Sequence, residues 1–171
     1  NDVSAFEIGN NIAATEGKVI FQNQLMQLIC YKPSGSDQAH PAPILIIPPW
    51  INKYYILDLS PENSMIKFLV DNNFQVFLIS WINPDEKLAH KDFEDYLQQG
   101  ILASCKYITN MGYDKINMVG YCIGGTLLAT MLAYAKVHDI NYINSATFLT
   151  TLLDFEDPGE IGVFITESSI K

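Results

Sequence analysis

Residues 117–125 read Asn117-Met118-Val119-Gly120-Tyr121-Cys122-Ile123-Gly124-Gly125. An apolar, β-prone run at 116–119 comes just before, and a helix is predicted over 124–137 just after, so strand must become helix within a few residues. Such a turn forces the residue at its tip, Cys122, into a strained backbone conformation. The positions two residues to either side have no room for side chains, which explains Gly120 and Gly124. The turn lifts the Cys122 sulfur to a helix N-terminus, where unpaired N–H groups and the helix dipole favour negative charge. The Ile123 backbone N–H is then placed to donate to an oxyanion. With 10 Gly and 3 Cys in 171 residues, G-x-C-x-G arises by chance about 0.01 times per chain. The plain alternative is a tight glycine turn with Cys122 as a small packing residue.

Working outward, strand and helix alternate. A β-hairpin is predicted over 18–31, with strands 18–21 and 25–31 around a polar turn. A loop rich in Pro, Ser, Gly and Asp covers 33–43. Residues 44–47 (ILII) form an unbroken apolar run, as in a strand buried on both faces, and Pro48-Pro49 ends it. Ser60-Pro61 reads as an N-cap and first helical position, with the helix running to about Val70 and closed by Asn72-Asn73. A strand follows at 75–80. Phe93, Leu97, Ile101, Cys105 and Ile108 line one face of a long amphipathic helix, with Gly112 as its left-handed cap. One more strand is predicted at 145–152. This alternation predicts an α/β fold of the α/β-hydrolase type: a mostly parallel sheet with helices on both faces, reached through an antiparallel hairpin. Residues 1–43 are expected to form a lead-in segment with the hairpin, and 44–171 the N-terminal part of the catalytic domain.

In that architecture the loop after the 44–47 strand gives the second oxyanion N–H. Pro48 and Pro49 have none, so Ile51 is the expected donor. A rigid Pro-Pro turn without a catalytic role is the alternative. His40, His90 and His138 are expected to be solvated surface residues. Asp154 ends the strand after the elbow, where a triad acid can sit, although Asp154 and Asp157 equally suit a loop's turns. Nucleophile, acid and histidine follow in that chain order in this fold, and only His138 follows Cys122, too soon to serve. The triad is therefore expected to be incomplete within 171 residues.

Composition narrows the function classes. The formal charge of −9 argues against nucleic acid as a partner. No apolar run has membrane-spanning length. Cys30, Cys105 and Cys122 are odd in number and widely separated, which fits neither a zinc site nor a disulfide framework and suggests a reducing, cytoplasmic setting. Cysteine rather than serine at the elbow also matters. Transfer from an acyl-CoA to a thiol exchanges one thioester for another, and an alcohol can then take the still-activated acyl group as an ester.

PPWINKYYILDLSPENS at 48–64, FLISWINPD at 77–85, DKINMVGYCIGGT at 114–126 and FLTTLLDF at 148–155 resemble the polyhydroxyalkanoate synthases. GYCIGGT and LTTLLDF look most like the single-component, short-chain (class I) enzymes. TEGKVIFQNQLMQLICYKP at 15–33 resembles the stretch leading into their catalytic domain. The resemblance implies that (R)-3-hydroxyacyl groups are loaded from CoA onto Cys122, where the polyester grows. Ile51 and Ile123 would match the oxyanion donors, and Asn52 a polar residue near the active centre. Catalytic Asp and His would lie beyond residue 171, so that Asp154 is not the acid, and the covering cap would begin about where this sequence stops. No cofactor is implied, since CoA is part of the substrate and the leaving group. A cytoplasmic homodimer at the polymer granule surface is implied for the full-length protein, with these residues a fragment inactive alone. Lys53 is a candidate for CoA phosphates, or a solvated lysine. A cysteine hydrolase or thioesterase is the alternative enzyme, and a non-catalytic granule-binding protein the alternative of another class.

Overall fold

The computed structural model describes residues 5–35, 39–156, 159–164, 166 and 168, apart from the side chain of Ile161. The hairpin forms from β1 (Lys18–Gln22) and β2 (Met26–Tyr31). Its turn is closed by Asn23, whose Oδ1 accepts the Leu25 and Met26 N–H groups at 2.8 and 3.0 Å. β2 pairs antiparallel with β6 (Val76–Trp81), which lies parallel to β3 (Ile44–Ile47). β3 pairs parallel with β7 (Ile116–Tyr121), and β7 with β8 (Ile143–Leu149). The six-stranded order β1-β2-β6-β3-β7-β8 is the mostly parallel sheet with an antiparallel hairpin that the sequence predicts.

The period of two in a strand divides each apolar run between the two faces. Leu45, Ile47, Phe77, Ile79 and Met118 pack under Leu97, Ile101, Cys105, Ile108, Leu127 and Met131. Ile44, Ile46, Val76, Leu78 and Val119 pack under Ile66 and Val70. Helices thus cover both faces. One face carries α2 (Phe93–Asp95) and α3 (Ala103–Asn110), joined through a π-helical stretch at Tyr96–Leu102, together with α4 (Ile123–Val137). The other carries α1 (Met65–Asp71).

Three boundaries differ from expectation. Helix α1 starts at Met65 with Ser64 as N-cap, its Oγ accepting the Lys67 N–H at 2.8 Å, rather than at Ser60-Pro61. Residues 58–64 close instead as the small hairpin of β4 (Asp58–Ser60) and β5 (Asn63–Ser64), with Pro61 in its turn. The fully buried Asp58 carboxylate fixes that arrangement by accepting Ser64 Oγ and Thr15 Oγ1, each at 2.6 Å. The long helix is interrupted by the π stretch, where Gly100 faces Trp81: a Cβ there would be 2.3 Å from Trp81 Cη2. Strand β8 runs from Ile143 and stops at Leu149, because Thr150 turns to a left-handed φ of 46°. Gly112, with φ 97°, follows α3 as expected.

Candidate active site

Parallel pairing brings the site together. Ile47, the last residue of β3, pairs with Gly120 of β7, so the loop 48–53 and the turn 121–123 leave the same edge of the sheet side by side. Cys122 holds φ 54° and ψ −126°, a conformation that costs an L residue of order 1–3 kcal/mol. Its surroundings impose that geometry. The Cys122 N–H donates to Leu149 O at 2.9 Å, and its own carbonyl accepts the Gly125 N–H at 2.9 Å, starting α4. Cys122 is therefore the N-cap of α4, yet its side chain makes no capping bond. The sulfur stays exposed and free. The first N–H groups of α4, Ile123 included, have no partner within the helix.

The glycines are needed for reasons the sequence only partly indicates. A Cβ on Gly120 would stand 2.4 Å from the Gly125 Cα, and one on Gly124 2.1 Å from the Ile47 carbonyl oxygen. The clashes are with backbone of the helix and of β3, rather than between side chains flanking the tip. Gly125, unassigned from sequence, meets Thr151: a Cβ there would lie 1.9 Å from Thr151 Oγ1. Thr126 Oγ1 donates to Leu152 O at 2.8 Å, so residues 150–152 clasp the elbow from the β8 side. The second glycine of the Gly124-Gly125 pair was the signal for this approach.

The other candidates fall as follows. Ile51 is 75% exposed, and Asn52 and Lys53 are exposed beside it. Lys53 Nζ donates to Asn83 Oδ1 at 2.5 Å. His138 caps the far end of the 15-residue α4, about 24 Å from Cys122 by helix rise, and stacks on Tyr134 at 4.0 Å. His40 stacks on Phe74 at 3.9 Å, and His90 is exposed. None of the three is hydrogen-bonded to Cys122. Asp154 Oδ1 accepts the Glu156 N–H at 3.0 Å, a turn bond, and Asp157 lies outside the described residues. Cys30 and Cys105 are buried. Burial pushes the Cys105 thiol up to about 12, and raises Cys30 in spite of a hydrogen bond from Gln75. The described residues contain no cluster of His, Cys, Asp or Glu fit to hold a metal ion. A cavity of about 540 Å³ opens elsewhere, between the 8–17 segment and Ile29, Tyr31 and Tyr54.

A cysteine at a strand–turn–helix elbow of this sheet defines a protein of the α/β-hydrolase type. A fungal esterase from Rhizomucor miehei shares the fold, with a TM-score of 0.59 at 16% identity over 91% of this chain and 50% of its own. The family model "Poly-beta-hydroxybutyrate polymerase (PhaC) N-terminus" matches residues 1–69. A poly(3-hydroxyalkanoate) polymerase of Methylorubrum extorquens is 48% identical over 99% of this chain and 28% of its own length. The poly(3-hydroxyalkanoate) polymerase subunit PhaC of Cupriavidus necator is 44% identical over 99% of this chain and 29% of its own. The chain is similar over nearly its whole length to poly(3-hydroxyalkanoate) polymerases, and spans less than a third of the length of these two relatives.

Proposed function

We propose that the protein polymerises (R)-3-hydroxyacyl-CoA, with 3-hydroxybutyryl-CoA as the preferred substrate, into polyester with release of CoA. The observation that carries this reading is the exposed Cys122 sulfur at φ 54° on the elbow of a chain similar to these polymerases. The sulfur attacks the thioester carbonyl, and the Ile123 and Ile51 N–H groups hold the oxyanion. Collapse of the tetrahedral adduct breaks the C–S bond to CoA, which leaves as a thiol after taking up a proton, and Cys122 keeps the acyl group as a thioester. The 3-hydroxyl of a second acyl unit then attacks that thioester, losing its proton to a base; the ester link forms as the acyl carbon's bond to the Cys122 sulfur breaks, and Cys122 leaves as the thiolate, ready for the next transfer. That base and its partner acid are assigned to a His and an Asp beyond residue 171. Asn52 is assigned to the rim of the site.

In the same proposal residues 1–43 lead into a catalytic domain starting at 44, and the full-length protein is a homodimer at the surface of cytoplasmic polymer granules. Among the described residues, no helix is long and apolar enough to cross a membrane. The test is to incubate full-length protein with 3-hydroxybutyryl-CoA while following CoA release and polymer. Both are expected, and both should vanish in Cys122→Ala. Turnover surviving that substitution would remove Cys122 from the mechanism, and free hydroxy acid without polymer would indicate a hydrolase.

A further inference from the structure

We propose that Trp81 is a positioning residue for the oxyanion loop, acting through the Pro48 carbonyl; this rests on the roles given above to Cys122 and Ile51. An oxyanion donor works only when its N–H is fixed where the charge develops, within a few tenths of an ångström. The loop that carries Ile51 begins Pro48-Pro49, which offer no N–H to any neighbour. It is pinned through an acceptor instead. The Trp81 Nε1–H donates to Pro48 O at 2.7 Å, across 33 residues of sequence. That same carbonyl borders the elbow, since a Cβ on Gly124 would be 2.8 Å from it. One peptide oxygen thus sits between the nucleophile's helix and the indole.

Trp81 is itself held firmly. Its ring lies against Gly100 at the π stretch, where even one Cβ would collide with it. Trp50, the residue just before Ile51, meets the Trp81 ring edge-on at 6.0 Å and 86°. Tyr96 completes the set, at 5.1 Å from Trp81 and 4.5 Å from Trp50. The indole therefore grips the loop twice, by its N–H at Pro48 and by its face and edge at Trp50.

The experiment removes only that N–H. In full-length protein Trp81 is exchanged for benzothienylalanine, which puts sulfur in place of the indole N–H, and separately for Phe. Turnover of 3-hydroxybutyryl-CoA, alkylation of Cys122 by iodoacetamide and Tm are measured, with Cys122→Ala as control. In the benzothienylalanine protein kcat should fall about ten-fold, less than outright loss of an oxyanion donor, with KM within about two-fold. Alkylation, which involves no oxyanion, should proceed at the wild-type rate, and Tm should hold. Trp81→Phe should lose at least as much kcat. Unchanged kcat in the benzothienylalanine protein overturns the proposal, as does a loss matched by slower alkylation and lower Tm. Turnover surviving in Cys122→Ala overturns the Cys122 reading and this one with it. A silent Trp81 exchange in a protein that Cys122→Ala inactivates overturns the Trp81 role alone.

Discussion

Cys122 carries its strain because three separate backbones hold it: Leu149 O takes its N–H, Gly125 caps its carbonyl, and Ile47 O lies against Gly124. The strain leaves its sulfur exposed while Cys30 and Cys105 are buried. Brief treatment of native protein with iodoacetamide near neutral pH should therefore modify Cys122 and spare the other two, as read by peptide mass. Equal labelling of all three would mean the elbow is not formed. Gly124→Ala should cost about 3 kcal/mol, because the new methyl meets backbone of a central strand that cannot move aside. A lowered urea midpoint with unchanged slope is the readout. This residue-level geometry was largely legible: G-x-C-x-G names the tip and its two glycines. Thr151 and Trp81 were not, since Thr151 meets Gly125 from 26 residues further on and Trp81 reaches the Pro48 carbonyl across 33 residues.

At the scale of elements, α1 shows a local rule overridden by a distant carboxylate. Ser60-Pro61 satisfies the N-terminal signal, but Ser64 caps the helix. Asp58 draws Ser64 Oγ and Thr15 Oγ1 to one oxygen, while its other oxygen accepts the Thr15 N–H at 3.3 Å. It therefore ties the segment before β1 to the start of α1. The phenols of Tyr31 and Tyr54 are raised by burial first and by this charge second. Ser64→Ala should cost about 1 kcal/mol as a lost cap. Asp58→Ala should cost about 3 kcal/mol, since it leaves two hydroxyls and an N–H without their charged acceptor. Urea unfolding of the two variants measures the difference, and equal losses would show that Asp58 does no more than support the cap.

The described residues build two apolar layers on the six-stranded sheet, and a strongly shifted thiol lies inside one of them. Cys105 is raised from 9.0 to about 12 by burial, against the pull of a hydrogen bond with Tyr142. Below about pH 9 its thiol is protonated in both folded and unfolded chains, so it adds no pH dependence. Between about 9 and 12 the unfolded chain releases the proton and the native state keeps it. Stability should therefore fall by about 1.4 kcal/mol per pH unit from this group, with Tyr142 and Tyr31, also raised, acting the same way above their ordinary range. Urea midpoints across that range measure the slope, and Cys105→Val should flatten it. Residues 1–171 alone are expected to release no CoA from 3-hydroxybutyryl-CoA, because no histidine is hydrogen-bonded to Cys122 among the described residues. Measurable turnover would mean that a general base lies within residues 1–171.

The sequence by itself determined the alternation of strands and helices, the elbow and the identity of its tip. Those depend on apolar periodicity, glycine's missing Cβ and proline's missing N–H, which act over a few residues. Tertiary structure decided where α1 begins, why β8 stops at Thr150, and which groups hold the elbow and the loop at 48–53. Each of those rests on one buried polar group or one close approach between distant segments. Such contacts exist only after the sheet has brought β3, β6, β7 and β8 to a common edge.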